Sequence, residues 1–193
     1  MKTLQAVSLY STDNPFASAL ARAHSNYSAF INGRLVRLLD WKRPSARARL
    51  ANDAFRAFIE HPAYPCLGAK SAINSGQYRL GAYGALGSQA ATEGLARDLC
   101  AFVAERPLME SGYATFVAVY EDVAIVDELE FEARLWAQLQ ALHDLDGQHF
   151  EYAAGVSSDP QHPRFAFSFA RSAFFVVGMH PGSSRIARRF PFP

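Results

Sequence analysis

Residues 165–190, FAFSFARSAFFVVGMHPGSSRIARRF, constrain the fold more than any other stretch of the chain. Two runs dense in aromatic and β-branched residues, 165–169 and 173–178, flank the short polar break Arg171-Ser172. Runs of that kind separated by so short a break predict a buried hairpin. The second run leads into Met179-His180-Pro181. Proline has no N–H to continue a ladder, so the imidazole of His180 is expected at a strand end, where a cleft can open. Ser184, Arg185, Arg188 and Arg189 follow within a few residues, and Arg164 precedes the first run. A histidine beside an aromatic wall and a group of arginines suits a ligand that is flat, apolar and anionic at its edge, as haem is. The plainer role for His180 is that of a hydrogen-bonded turn residue.

The rest of the composition sets bounds. At 193 residues and 50% hydrophobic content the chain can bury one sizeable core, and 15 Phe with 8 Tyr can line a cavity as well as fill it. It reads as one domain, with a helical N-terminal part over residues 1–62 and a sheet-containing core over 63–193. A net charge of +1 gives no electrostatic argument for nucleic acid or for an anionic membrane. Two cysteines, Cys66 and Cys100, are too few for a disulfide scaffold and fit a reducing cytoplasm. No apolar run reaches the roughly 20 residues of a membrane helix, and the first 15 residues lack the pattern of a secretory signal.

Several elements can be placed. Asn14-Pro15 opens a helix over 16–23, and residues 30–39 hold a turn and an extended piece. Ser45 caps a helix over 46–60 whose buried side carries Leu50, Ala54, Phe58 and Phe55, stopped by Pro62 and Pro65. Residues 78–83 form a strand with Gly81 as a bulge or a close-approach point. Thr92 caps a helix to about residue 104, with Leu95, Leu99, Phe102 and Val103 as its apolar stripe. Residues 114–120 are apolar on both faces and read as a central strand. Asp127 and Glu130 start a helix carrying Phe131, Leu135, Leu139 and Leu142 at helical spacing, stopped at Gly147. Strands interrupted by helices, with a hairpin, indicate an α+β fold with a mixed or mainly antiparallel sheet packed on several amphipathic helices. The residues after Arg189 offer no end cap, so the chain reads as stopping within a structure.

The other chemistry-bearing residues have bland readings as well. His143 lies at a helix C-terminus, where the dipole favours a cation. His24, His61, His149 and His162 fall at helix ends or in loops, and the six histidines show no zinc-hydrolase spacing. Cys66, between Pro65 and the Leu67-Gly68 pair and near Lys70, is either a reactive thiol or a small buried hydrophobe. The glycines of residues 81–87 lack the spacing of a phosphate loop. Glu121, Asp122, Asp127, Glu128, Glu130 and Glu132 form an acidic group around a helix start. Most of them are dipole partners, and one or two can face a cationic substrate.

Four segments, PCLGAKSAINSGQYRLGAYGALG, ATFVAVYEDV, FEARLWAQLQALHDLD and VSSDPQHPRFAFSFARSAFFVVGMHPGSSRIARRF, resemble the YqcI/YcgG family in that order, over about residues 65–190. The resemblance implies a haem b enzyme, a monooxygenase that N-hydroxylates the guanidine of arginine or an arginine-like amino acid. It also implies a further helical region beyond the Ala187-Arg188-Arg189-Phe190 segment, so this chain is expected to be C-terminally short of the family pattern. Three residues can then ligate iron: His180 first, His143 second, Cys66 third, the last as a thiolate that favours O–O cleavage. Arg185, Arg188 and Arg189, with Ser184, would meet the propionates, because guanidinium forks match carboxylates. Glu121, Glu128 and Asp159 are unranked candidates to grip the substrate guanidinium. The partners expected are a guanidine or amino-acid substrate and an electron-donor protein, with room for a homodimer and none for nucleic acid or membrane. Two other classes remain open at this point: a haem sensor or carrier without turnover, and a haem-free interaction protein or inactive fragment.

Overall fold

The computed structural model describes residues 14–109, 112–121 and 127–193. Asp122 of the acidic group and nearly all of the N-terminal stretch without a secretory pattern lie outside those residues. In chain order the elements are α1 (Ala19–His24), β1 (Ser28–Ile31), β2 (Arg34–Arg37), α2 (Ala46–Glu60), α3 (Leu67–Asn74), β3 (Tyr78–Tyr83), α4 (Gln89–Glu105), β4 (Thr115–Tyr120), α5 (Glu128–Asp146), β5 (Phe167–Phe169) and β6 (Ser172–Phe174). A four-stranded sheet runs β2-β1-β3-β4, antiparallel except that β3 and β4 are parallel, and β5 and β6 pair separately. The class is α+β with a mixed sheet, as expected. None of the described helices is long and apolar enough to cross a membrane.

The sheet is covered on both faces, and β3 shows why it is buried along its whole length. Tyr78, Leu80 and Ala82, with Val117 and Val119 of β4, face the α2 side, where Ala48, Ala51, Phe55 and Ile59 close the layer. The alternate residues point to α4. There Arg79 forms a buried ion pair with Glu105, which also accepts the Tyr27 hydroxyl. Tyr83 donates to Asp98 at 2.7 Å, beside Ser25 and the Asn26 N–H. Burial pushes the Asp98 carboxyl up to about 6 against those donors. Gly94 lets α1 approach closely, since a Cβ there would stand 2.5 Å from the His24 carbonyl oxygen.

Helix starts follow their caps. Ser45 Oγ accepts the Ala48 N–H of α2 at 3.0 Å, and Asp127 accepts the Glu130 N–H of α5 at 2.8 Å. Helix α4 begins one turn before the expected cap, at Ser88, and Thr92 instead donates to the Ser88 carbonyl. The ends of α2 are those expected, but its inward face is rotated. Leu50 is 61% exposed, while Asn52 is buried and accepts the Tyr78 hydroxyl at 2.7 Å. A polar residue that finds a buried partner moves the whole apolar stripe.

Four further expectations are corrected. Residues 1–62 are not simply helical, because the β1–β2 hairpin pairs onto β3 through β1. Strand β4 ends the four-stranded sheet rather than lying within it, and its Tyr120 N–H donates to the Pro193 carbonyl at 2.8 Å. Of the two roles expected for Gly81 the bulge is absent, since it pairs in register with Ala118, and the close approach holds, since a Cβ there would collide with the Tyr83 side chain. The predicted hairpin is shorter and less buried, with three paired positions. Of the two hairpin strands only β5 is fully buried, and Phe175, beyond β6, is 91% exposed. The tail without an assigned role is packed, with Phe190 buried against Phe55 and Phe58.

Candidate functional site

His180 is placed by α5, not by a strand. The ladder stops at Phe174, and residues 175–179 run irregularly to a turn on which the imidazole is 3% exposed. The ring stacks on Phe131, with centroids 4.7 Å apart and planes at 26°. Gly178 makes the approach feasible: a Cβ there would lie 2.9 Å from both Phe131 Cε1 and Leu135 Cδ2. The backbone closes the turn on itself, with His180 N–H donating to the Arg188 carbonyl at 3.1 Å and Ser183 N–H to the His180 carbonyl at 3.2 Å. Arg189 Nε–H holds the Ser183 carbonyl at 3.0 Å.

The two ring nitrogens differ. Gly182 N–H donates to Nδ1 at 3.2 Å. Nε2 is buried and has no hydrogen-bond partner among the described residues. A buried polar atom left unmatched costs about 1–3 kcal/mol, so such an atom marks a place where a ligand can contribute. One carboxylate reaches the turn from α5. Glu128 accepts the Ser183 hydroxyl at 3.2 Å and the Ser184 N–H at 3.3 Å. Those bonds, Ser184 first, hold its acid below the ordinary glutamate value, with His180 adding to the effect and burial opposing it.

The structure thus brings His180, Glu128, Ser184, Arg188 and Arg189 to one turn. The other expected site residues lie elsewhere. His143 is in the last turn of α5, edge-on to Tyr152 at 5.7 Å. Twelve residues of helix separate it from Phe131, about 18 Å at the rise of an α-helix. Cys66 is exposed at the start of α3, where its Sγ accepts the Ala69 N–H at 3.4 Å. Cys100 is half-buried in the core, and burial, with Asp146 beside it, pushes its thiol up to about 11. Glu121, exposed after β4, has Arg47 Nε 3.9 Å away. Asp159, in the 157–163 loop, is turned onto its own backbone and accepts the Gln161 N–H at 2.9 Å. Arg185 is exposed, and none of Arg185, Arg188 and Arg189 pairs with a carboxylate among the described residues. Arg164 is exposed and donates its backbone N–H to His162.

Phe131 and Gly178 were not legible as site residues; the first reads as one position in an apolar stripe, the second as the end of an apolar run. A usable signal did exist, because His-Pro occurs three times, as His61-Pro62-Ala63, His162-Pro163-Arg164 and His180-Pro181-Gly182. In each, Nδ1 accepts the N–H two residues on, at 3.2, 3.0 and 3.2 Å.

A single buried imidazole fits the axial position of a haem better than it fits a multidentate metal site, and no group of three or more metal-ligating side chains occurs among the described residues. Nε2 would be the atom to meet iron, and it is buried. A neutral ring that accepts the Gly182 N–H at Nδ1 carries its own proton on Nε2. Iron bound there would displace that proton, and because Nε2 is buried the residues packed around it, as well as the amide of exposed Gly182, would have to move. Exposed Arg185 and half-buried Arg188 lie within eight residues of the ring and can meet carboxylates at the edge of a bound group.

The model of the YqcI/YcgG family matches residues 55–193, from the middle of α2 through the His180 turn and the tail. No curated protein and no solved structure is a significant match to the chain.

Proposed function

The chain belongs to the YqcI/YcgG family, and from that premise we propose that it is a haem-dependent oxygenase that N-hydroxylates the guanidine of arginine or an arginine-like amino acid. The observation that supports the reading most is the buried His180 ring with an unpartnered Nε2, inside the segment the family model matches. Haem b, bound at that nitrogen, would supply the iron centre that activates dioxygen or peroxide. The net reaction inserts one oxygen atom into a guanidine N–H bond. With dioxygen, two electrons and two protons from a donor protein convert the second oxygen atom to water; with peroxide, water is the only by-product.

The chain's own residues have defined tasks in this reading. His180 is the protein ligand, and Phe131 fixes its ring plane. Arg185 and Arg188 pair with the propionates, while Arg189 is engaged at Nε by Ser183. A guanidinium substrate needs a carboxylate with both oxygens open to a fork of N–H donors. Glu121, exposed at the end of β4 with Arg47 Nε 3.9 Å away, is the better candidate for that task, since one Asp159 oxygen is already held by the Gln161 N–H.

The test is an absorption spectrum of the protein expressed with a haem precursor, followed by titration with L-arginine and mass analysis of the product. A Soret band that moves on titration, with a product one oxygen atom heavier, is the expected result. Absence of a Soret band overturns the reading. A band that ignores arginine and its analogues leaves a haem carrier or sensor in its place.

A further inference from the structure

Glu128 reads from the sequence as a carboxylate for gripping a guanidinium, and in the structure each of its oxygens accepts a hydrogen bond from the 183–184 turn. Oε1 accepts the Ser183 hydroxyl at 3.2 Å and Oε2 the Ser184 N–H at 3.3 Å. Glu128 is the first residue of α5, and Phe131, three residues on, lies on the same helical face. One helical turn therefore holds one loop at two points, a carboxylate on Ser183 and Ser184 and an aromatic ring under His180. The loop between them is tight, since a Cβ on Gly182 would stand 3.2 Å from His180 Cε1. Any slack at Ser183 or Ser184 is thus passed to the imidazole.

We propose that Glu128 is a positioning residue: its carboxylate ties the 181–184 turn to the start of α5 and so holds His180 against Phe131 with Nε2 directed to its ligand. The identity of that ligand rests on the proposed function; the tie itself does not.

The test uses the full chain with Glu128→Ala, Glu128→Gln and Ser183→Ala. In the haem-free protein, two-bond proton–nitrogen spectra report the His180 ring, assigned by the signals lost in His180→Ala. Glu128→Ala is expected to shift or split those signals while circular dichroism stays native, with Glu128→Gln in between because it keeps one acceptor. Haem titration is expected to show about a 10-fold or greater loss of affinity in Glu128→Ala, the range seen when a residue supporting a metal ligand is removed. The dissociation constant of L-arginine for the haem-loaded fraction should change less than about 2-fold. Unchanged His180 signals and haem affinity, with loss confined to the arginine titration, overturn the proposal and return Glu128 to the substrate. If Glu128→Ala does not fold, Glu128→Gln and Ser183→Ala carry the same readouts. A wild-type chain that binds no haem, but whose His180 signals still respond to Glu128→Ala, refutes the proposed function and upholds the tie.

Discussion

The three His-Pro turns of this chain are alike in sequence and in their hydrogen bond, yet only one carries a buried ring with an unpartnered nitrogen. His61 and His162 are exposed. His180 makes the same bond to the N–H two residues on, but its ring is buried on Phe131 and its Nε2 has no partner. The turn fixes which nitrogen is engaged; the surroundings decide whether the other one matters. Local geometry here is a commodity, and burial without satisfaction is the distinguishing property.

The comparison breaks most severely if the platform is removed. Phe131 is 6% exposed and belongs to the core that also holds Tyr83, Tyr120 and Leu142. Phe131→Ala is expected to lower stability by about 3–5 kcal/mol, the usual cost of truncating a buried phenylalanine. It should also expose His180, making its ring resemble those of His61 and His162 in proton exchange. Chemical denaturation and the solvent exchange of the ring N–H protons, read by nuclear magnetic resonance, check both halves. If the His180 ring stays protected in this variant, Phe131 is not what buries it.

Gly178→Ala comes next. The added carbon would meet Phe131 and Leu135 at 2.9 Å each. Overpacking of that kind costs typically about 1–3 kcal/mol, and here it would push the 175–179 segment off α5. A smaller loss, with an unchanged His180 environment, would mean that this segment has room to shift.

His180→Phe sharpens the contrast because it keeps a ring on Phe131 and removes the unmatched nitrogen, along with an Nδ1 whose donor, the exposed Gly182 N–H, can turn to water. In the haem-free protein it is expected to raise stability by about 1 kcal/mol, since an unsatisfied buried polar group is eliminated. If the proposed function holds, the same variant takes up no haem. Gain of stability with loss of binding is the signature of a residue kept for function. A loss of stability would show instead that Nε2 is satisfied in solution.

How far these features could be read in advance depends on where their causes lie. The ends of α2 and the start and stop of α5 were legible because Ser45, Asp127 and Gly147 act within one helical turn. The β1–β2 hairpin carried an unused local signal, Asn32-Gly33, whose φ values of 49° and 77° suit a two-residue turn. The β5–β6 turn carried none. Ala170 and Arg171 adopt φ of 47° and 61°, a conformation neither residue favours, and the turn is anchored from α5 by Asp146, which accepts the Ala170 N–H at 2.8 Å. The site behaves like that second turn. His180 stood out in sequence for a strand end that is not there, while its surroundings come from Phe131 and Glu128, the latter 55 residues before Ser183. Contacts at that separation leave no periodicity behind them.

The smallest effects belong to the exposed turns, and they are informative because they share everything but burial with the third. His61→Ala and His162→Ala each remove an Nδ1 that accepts a backbone N–H, at 3.2 and 3.0 Å. Water replaces an exposed acceptor at little cost, so each variant should lie within about 0.5 kcal/mol of the parent protein. Haem uptake should be unchanged in both. Denaturation midpoints and the Soret band of the double variant test this together. A loss near 2 kcal/mol in either would mean that the His-Pro bond itself organises its loop, and the turn at His180 would then owe its geometry to its own three residues as well as to α5. Values near zero assign that geometry to Phe131 and Glu128 instead.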